Sequence, residues 1–107
     1  MKVENMQNSS GRAIPNQFIL TDEGRGALGN FIKREVFQSY NSRIIEKIVW
    51  PDKTEFRIDE NYWDYSKTTG KYRNQFLGET KKETEKKIKA GIYVLTDLNN
   101  ALATDIV

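Results

Sequence analysis

Residues 43–59, RIIEKIVWPDKTEFRID, carry the clearest structural signal in the chain. β-Branched and aromatic residues dominate residues 43–50, a composition typical of strands. The Pro-Asp-Lys sequence at residues 51–53 predicts a tight turn. Residues 54–59 then alternate between apolar and polar side chains with the period of a strand. The stretch therefore predicts a β-hairpin.

The segments before the hairpin predict two further strands and a loop. Residues 14–21, IPNQFILT, and residues 31–40, FIKREVFQSY, are rich in β-branched and aromatic residues. Residues 22–30 contain three glycines and predict a loop. Residues 1–11, MKVENMQNSSG, are polar and lack the apolar run of a signal peptide, so we expect a flexible tail there.

After the hairpin, the apolar period changes to that of an α-helix. Four side chains repeat along one helical stripe: Tyr65, Thr69, Tyr72 and Phe76. Asp64 or Ser66 supplies an N-cap, Gly70 indicates a close packing contact, and Gly78 suits the end of the helix. The capping-box sequence TKKE at residues 80–83 opens a second helix. This second helix is strongly charged, so we expect it at the surface.

With a last strand at residues 92–95, the order of elements is β-β-β-β-α-α-β. Strands followed by helices predict an α+β fold, with a mostly antiparallel β-sheet of about five strands and two consecutive helices on one face. We expect the last strand to return beside an early strand. Residues 1–11 then form a flexible N-terminal tail, and residues 12–107 form a single α+β domain.

Composition excludes several classes of chemistry. The chain has no Cys and no His, which removes thiol nucleophiles, disulfides, Cys/His zinc sites and histidine bases. Aromatic residues make up 11% of the chain, which favours a folded core over disorder. The net charge of +2 argues against an acidic mimic of DNA. No apolar run approaches the ~20 residues that cross a bilayer, so we expect a cytoplasmic protein with no membrane contact.

Three motifs could carry chemistry, and each lacks the context that its chemistry requires. Residues 24–29 read G-R-G-A-L-G, the dinucleotide-binding spacing, but a strand rather than a helix is predicted after them. Asp52 with an E-x-K sequence at residues 79–81 or 85–87 matches a loose Mg²⁺-nuclease pattern, but a helix is predicted there instead of a strand. Three acids before the first helix suit its dipole better than a metal: Asp59, Glu60 and Asp64. We therefore expect no catalytic residue, no metal site and no cofactor.

Positive charge is concentrated in the two predicted helices. Residues 67–89 contain eight Lys or Arg and three Glu, whereas the whole chain is only at +2. A basic helical face can contact phosphates or an acidic protein surface. The candidate binding residues on it are Lys67, Lys71, Arg73, Lys81, Lys82, Lys86 and Lys87. A solvated Lys/Glu helix with i,i+4 pairs such as Glu83–Lys87 explains the same composition, and both interpretations stay open.

Tyr62, Trp63 and Tyr65 place three rings within four residues. They cannot all face one core, so we expect at least one ring to be partly exposed, where it can stack on a base or anchor a protein partner. A strand-to-helix corner filled by rings is the alternative. Tyr62 and Trp63 are added to the candidate binding residues.

The segment YWDYSKTTGKY at residues 62–72, with FQSYN at residues 37–41 and the Lys/Glu-rich helix, resembles a family of small uncharacterised proteins. Phages and other mobile elements of Gram-positive bacteria encode this family. The resemblance covers most of the chain and implies no catalytic residues. The resemblance also implies a role against host defence. Small folded phage proteins of this kind often bind and inhibit a host defence enzyme, such as the CRISPR effector Cas9.

Residues and resemblance together predict a small non-enzymatic binding protein, an anti-CRISPR-like inhibitor of a host defence nuclease such as a CRISPR-Cas9 effector. It would occupy a protein or protein–RNA surface in the host cytoplasm. The expected partner is a host protein or ribonucleoprotein, such as Cas9 with its guide RNA. The alternative is a nucleic-acid-binding accessory protein that uses the same basic surface. The oligomeric state stays open.

Overall fold

The computed structural model describes residues 1–24 and 31–100, which form six strands and two helices. The strands are β1 (Lys2–Gln7), β2 (Ala13–Glu23), β3 (Lys33–Ser39), β4 (Ser42–Val49), β5 (Thr54–Asp59) and β6 (Tyr93–Thr96), and the helices are α1 (Lys67–Leu77) and α2 (Lys81–Lys89). The strands form one sheet in the order β1-β2-β3-β4-β5-β6. The predicted α+β class is confirmed, because a mostly antiparallel sheet carries two consecutive helices that follow the first five strands.

The last strand, β6, pairs in parallel with β5, with Phe56 opposite Tyr93 and Asp59 opposite Thr96. The connection between them passes through both helices, and a crossover of that length allows neighbouring strands to run parallel. We expected this strand beside an early strand. That expectation is wrong, since its neighbour is the fifth strand in the chain.

The N-terminal segment belongs to the sheet, so the expected flexible tail over residues 1–11 is wrong where β1 forms. β1 runs antiparallel to β2, with Lys2 opposite Thr21 and Gln7 opposite Ala13. Met6 is the one buried residue of this strand, which leaves no alternating apolar pattern to detect. An edge strand needs a partner on one side only, and charged side chains are usual there.

The hydrophobic core lies between the sheet and the helices. Its buried apolar side chains are Met6, Ile14, Phe37, Ile44, Ile45, Ile58 and Tyr93, and Tyr72, Phe76, Leu77 and Ile88 pack against them from the helices. The rings of Phe37 and Phe76 stack with their centroids 5.9 Å apart. The register between β3 and β4 shifts after Phe37, and the adjacent residues Ile44 and Ile45 both pack into the core.

The other face of the sheet carries a ladder of alternating charges. Arg34 forms ion pairs with Asp22 and Glu46, and Glu46 also pairs with Arg57. Arg34 and Glu46 are buried, so each of these charges depends on the other for compensation. This face therefore neutralises its own charges, unlike the surface formed by the helices.

Replacing Met6 with Ala tests whether β1 is part of the folded structure. We expect Met6→Ala to lower the free energy of unfolding by about 2–5 kcal/mol, because it removes a core side chain. The matched control is Val3→Ala on the same strand, whose exposed side chain should contribute less than about 1 kcal/mol. Urea denaturation followed by tryptophan fluorescence measures both, and equally small effects would mean that this segment is a tail.

Candidate functional site

The corner between β5 and α1 is organised by the buried carboxylate of Asp59. Its Oδ2 accepts hydrogen bonds from the backbone N–H groups of Asn61 and Tyr62, at 3.0 and 2.8 Å. Its Oδ1 accepts from the backbone N–H of Leu98, at 2.8 Å, just beyond β6. We call residues 62–65 the aromatic segment. Asp59 therefore fixes the point where the aromatic segment leaves the sheet, which is a different role from the predicted interaction with the helix dipole.

Arg73, a predicted surface contact, is buried, with 1% of its surface exposed. Its Nη1 donates to the carbonyl oxygen of Trp63 at 2.8 Å and to Oδ1 of Asp64 at 3.2 Å. Its Nη2 donates to Oδ1 of Asn74, and its guanidinium carbon lies 5.2 Å from the centroid of the Trp63 ring. The prediction is wrong because Arg73 follows Thr69 by four residues, and both lie on the inward face of α1.

The rings of the aromatic segment divide between the core and solvent. Trp63 is partly buried and packs against the core. Tyr62 and Tyr65 are 38% and 46% exposed, and their rings meet edge to face with centroids 5.4 Å apart. The expectation that at least one ring is partly exposed is confirmed. Trp63 supports the corner, and the two tyrosines are the rings that a ligand could reach.

Ser66, one of the two predicted N-cap residues, begins helix α1, so Tyr65 lies before the helix and not on its stripe as predicted. The Oγ atom of Ser66 accepts from the backbone N–H of Thr69 at 3.1 Å, which is the N-cap arrangement. The buried hydroxyl groups of Thr69 and Ser39 share a hydrogen bond of 2.9 Å that ties the first turn of α1 to β3. Gly70 faces the Arg73 guanidinium, but a methyl group there would make an ordinary contact at 3.5 Å, so this packing does not itself require glycine.

A depression of about 490 Å³ opens beside the first turns of α1. We call it the lysine depression, and its lining includes Asp64, Tyr65, Lys67, Lys71, Arg73 and Lys81. The structure thus brings together four of the predicted binding residues. Tyr65 was not among them, because the sequence assigns it to the apolar stripe of α1 although it precedes the N-cap.

Lys81 and Asp64 neutralise each other in the lysine depression. The Lys81 Nζ atom lies 2.6 Å from Oδ2 of Asp64, while Arg73 lies 3.2 Å from Oδ1. Burial raises the pKa of Asp64, but the hydrogen bonds from Lys81 and Arg73 outweigh it and hold this pKa below its ordinary value. The hydrogen bond to Asp64 raises the pKa of Lys81. The carboxylate is therefore ionised and already paired at neutral pH.

Lys67 and Lys71 are exposed, and neither forms an ion pair within residues 1–24 and 31–100. They lie four residues apart on α1, a spacing at which like charges repel. The first turn of α1 holds no acidic residue, and Lys67, the first residue of the helix, stands near the positive end of the helix dipole. This placement is unfavourable for the isolated helix, and it gives the lysine depression unneutralised positive charge.

The lysines of α2 fall into two groups. Lys82 and Lys86 are exposed and have no ion pair in the part of the chain that the structure describes. Lys87, a predicted binding residue, instead lies with its Nζ atom 2.9 Å from Oε1 of Glu79. The predicted pair of Lys87 with Glu83 is absent because Glu83 completes the capping box at the start of α2, as the sequence predicts.

Glu79 ties α2 to β6. Its nearly buried carboxylate accepts hydrogen bonds from the hydroxyl groups of Thr84 at 2.8 Å and Tyr93 at 2.5 Å and from the amino group of Lys87. We call these four residues the Glu79 clamp. Burial raises the pKa of Glu79, but its hydrogen bonds outweigh this and hold the pKa below its ordinary value. Burial and the hydrogen bond to Glu79 together raise the pKa of Tyr93 to about 12.

The structure describes most of the residues of the three motifs that were considered for catalysis. Within residues 1–24 and 31–100, no group of three or more carboxylates is placed to hold a metal ion. The glycine-rich motif at residues 24–29 lies outside the described residues apart from Gly24. The E-x-K sequence at residues 79–81 ends on the first residue of α2, and the one at residues 85–87 lies inside that helix, as predicted.

Residues 1–91 match the sequence model of DUF8033, a family of unknown function. The chain belongs to this family. The match to DUF8033 includes every residue of the lysine depression. No curated protein and no solved structure matches the chain at a significant level. In the ranges that the structure describes, no helix has the length and apolar character needed to cross a membrane.

Removing the hydroxyl group of Tyr93 tests the Glu79 clamp. We expect Tyr93→Phe to lower the free energy of unfolding at neutral pH by about 1–3 kcal/mol, because the buried Glu79 carboxylate loses a donor. Tyr62→Phe is the matched control, since this exposed tyrosine should contribute less than about 0.5 kcal/mol. Urea denaturation measures both variants.

The clamp also predicts a dependence on alkaline pH. Below the ordinary tyrosine pKa of 10.0, the phenol is protonated in the folded and unfolded chains, and its contribution to stability is complete. Between that value and about 12, the unfolded chain ionises first, so stability falls as pH rises. Tyr93→Phe should show a smaller alkaline loss of stability than the unmodified protein. Identical losses in the two proteins would contradict the clamp.

Proposed function

We propose that the protein is a non-enzymatic binding protein that inhibits a host defence nuclease, such as a CRISPR-Cas9 effector with its guide RNA. It docks through the lysine depression onto a negatively charged surface of that complex, in the cytoplasm of the host cell. The observation that supports this most strongly is the pair of unneutralised lysines, Lys67 and Lys71, at the start of α1.

The energetics of these lysines favour an anionic partner. A cation near a helix N-terminus is unfavourable by about 0.3–1 kcal/mol, and a like-charge pair at i,i+4 adds a few tenths. The buried charges of the chain are paired, as the ladder around Arg34 and the Glu79 clamp illustrate. Lys82 and Lys86 are exposed and unpaired like Lys67 and Lys71, but they do not line the lysine depression. The place of Lys67 and Lys71 in the depression therefore favours a partner that supplies negative charge there.

The class of partner comes from the sequence resemblance to proteins of phages and mobile elements. A protein in that setting gains from blocking host defence, and a CRISPR effector bound to its guide RNA presents phosphate groups alongside protein. The slightly positive chain suits a role against such a ribonucleoprotein better than mimicry of DNA. Among the described residues of the lysine depression, the one carboxylate is Asp64, which is already paired, so the depression is complementary to that surface.

A nucleic-acid-binding accessory protein is the second candidate function. The same unpaired lysines favour it, because phosphate contacts by lysine supply most of the non-specific affinity for nucleic acid. The two functions differ in what the protein does to a nuclease. An inhibitor reduces interference against a plasmid that the effector targets, whereas an accessory protein binds nucleic acid and leaves interference unchanged.

Charge reversal in the lysine depression tests the proposed function. In a plasmid-interference assay, the unmodified protein should protect the target plasmid, and Lys67→Glu with Lys71→Glu should remove that protection. The same double variant should bind the Cas9–guide complex at least about tenfold more weakly, a loss of ~1.4 kcal/mol. The matched control is Lys82→Glu with Lys86→Glu, an equal charge change at the same i,i+4 spacing on α2, which should weaken binding less than about threefold.

Two results would reject this function. Equal weakening by both double variants would show that only net charge matters and not the depression. Absence of binding to any defence nuclease, by pulldown and by gel filtration, would reject the inhibitor outright.

A further inference from the structure

Two exposed tyrosines, Tyr62 and Tyr65, lie at the edge of the lysine depression, and we call them the aromatic rim. A contact between the lysines and a negatively charged partner does not explain why these rings are exposed. Tyr65 lines the depression, and the ring of Tyr62 meets it edge to face at 5.4 Å. Both rings are more than a third exposed, although a hydrophobic core lies next to them. In an edge-to-face pair, at least one face of each ring is left uncovered by the other ring. Two partly exposed rings thus stand beside Lys67 and Lys71, and the Lys71 Nζ atom lies 5.3 Å from the centroid of the Tyr72 ring.

From this juxtaposition we infer that the site binds single-stranded nucleic acid, with a base stacked on Tyr65 or Tyr62 and phosphates held by Lys67 and Lys71. The inference rests on the proposed function in taking the lysine depression as the contact site, and it names the ligand of that site. Exposed aromatic rings next to a basic groove are the general arrangement by which proteins bind single strands without sequence preference.

A single strand fits these residues better than a duplex does. In a duplex the base faces are stacked on one another, so tyrosine rings on a surface cannot reach them. Single strands present open faces, and every base has one. The depression, of about 490 Å³, is open to solvent, so an extended strand can lie across it with one base beside Tyr65.

The charges of the site also suit phosphate rather than an acidic protein side chain. Asp64 is the one carboxylate in the lining, and Lys81 and Arg73 already neutralise it, so it does not repel a phosphate. Lys67 and Lys71 are flexible point charges, which can follow a backbone of variable shape. An acidic peptide would use the lysines and leave the tyrosine faces bare.

The site is held rigidly enough to present both parts together. Asp59 fixes the backbone at Tyr62, and Arg73 fixes the carbonyl group of Trp63 between the two tyrosines. The N-cap at Ser66 sets the direction in which Lys67 leaves the helix. The backbone that carries the aromatic rim and Lys67 is therefore held in place, and the flexible lysine side chains can reach a phosphate next to a stacked base.

Fluorescence anisotropy with a labelled single-stranded RNA of mixed sequence, and with the duplex of the same sequence, tests the inference on the full chain. We expect the single strand to bind at least tenfold more tightly than the duplex. Tyr65→Leu should weaken binding of the single strand by about 5- to 150-fold, the range that corresponds to the loss of one stacked base. Tyr65→Phe is the matched control, because it keeps the ring and should retain affinity within about twofold.

The lysine substitutions should change the salt dependence of the affinity, because the lysines contact phosphates, whereas the tyrosine substitution should change the affinity through stacking. Lys67→Gln with Lys71→Gln should reduce the slope of log affinity against log salt by roughly 1–2, since about 0.7 is lost for each phosphate contact on a single strand. Tyr65→Leu should leave that slope unchanged. Lys67, Lys71 and Tyr65 all have exposed side chains, so we expect each variant to fold, and circular dichroism is the control for folding.

The outcomes separate this inference from the proposed function. If the lysine variants lose the Cas9–guide complex while Tyr65→Leu changes nothing and free RNA does not bind, the inference is overturned and the proposed function stands. If single-stranded RNA binds as described while no defence nuclease does, the inference stands and the proposed partner is wrong. Equal affinity for duplex and single strand would also overturn the inference.

Discussion

The guanidinium group of Arg73 sits beneath the corner where the sheet passes into the helices, and it is almost wholly buried. A buried cation requires compensating partners, and here they are the Trp63 carbonyl group, the Asp64 carboxylate and the Asn74 side chain. Each partner belongs to the segment that forms the lysine depression or to α1 itself. Arg73 therefore fixes the corner and, together with Lys81, neutralises Asp64 in the depression, and the exposed lysines and tyrosines lie around it.

Three buried polar connections hold the helices and the segment before them against the sheet. Thr69 joins the start of α1 to Ser39, Asp59 joins the aromatic segment to the chain after β6, and Glu79 joins α2 to Tyr93. Buried polar side chains make all three connections, and fully bonded buried networks specify one arrangement of the elements that they connect. The helix backbones that carry the basic surface are in this way part of a rigid frame.

Local signals in the sequence are sufficient for most elements. The hairpin at residues 43–59 is rich in β-branched and aromatic residues, and residues 54–59 alternate. Ser66 and the capping box at Thr80 mark the helix starts, and Gly78 ends α1 in a left-handed conformation. β1 could not be predicted from a local pattern, because this polar edge strand buries one side chain and obtains its stability from pairing with β2. The neighbour of β6 depends on the packing of two helices, which no local pattern records.

The candidate site could be predicted from the sequence only in part, because its geometry also depends on contacts between distant residues. Charge counting finds Lys67, Lys71 and Lys81, but it cannot distinguish a free lysine from one held by a distant acid, as Lys87 is held by Glu79. Arg73 was misplaced because arginine is usually exposed, although its spacing from Thr69 was a signal for the inward face. The exposure of Tyr65 results from the corner geometry, which depends on contacts made by residues far apart in the chain.

Amide hydrogen exchange in Arg73→Lys tests most directly whether one buried guanidinium holds the corner. Lysine keeps the charge but cannot bond several acceptors in the planar geometry of arginine. The account predicts faster exchange at the backbone N–H groups of Tyr62, Thr69 and Gly70, with no change in β3 and β4. Unchanged exchange at those three amides, or an equal increase throughout the sheet, would contradict it.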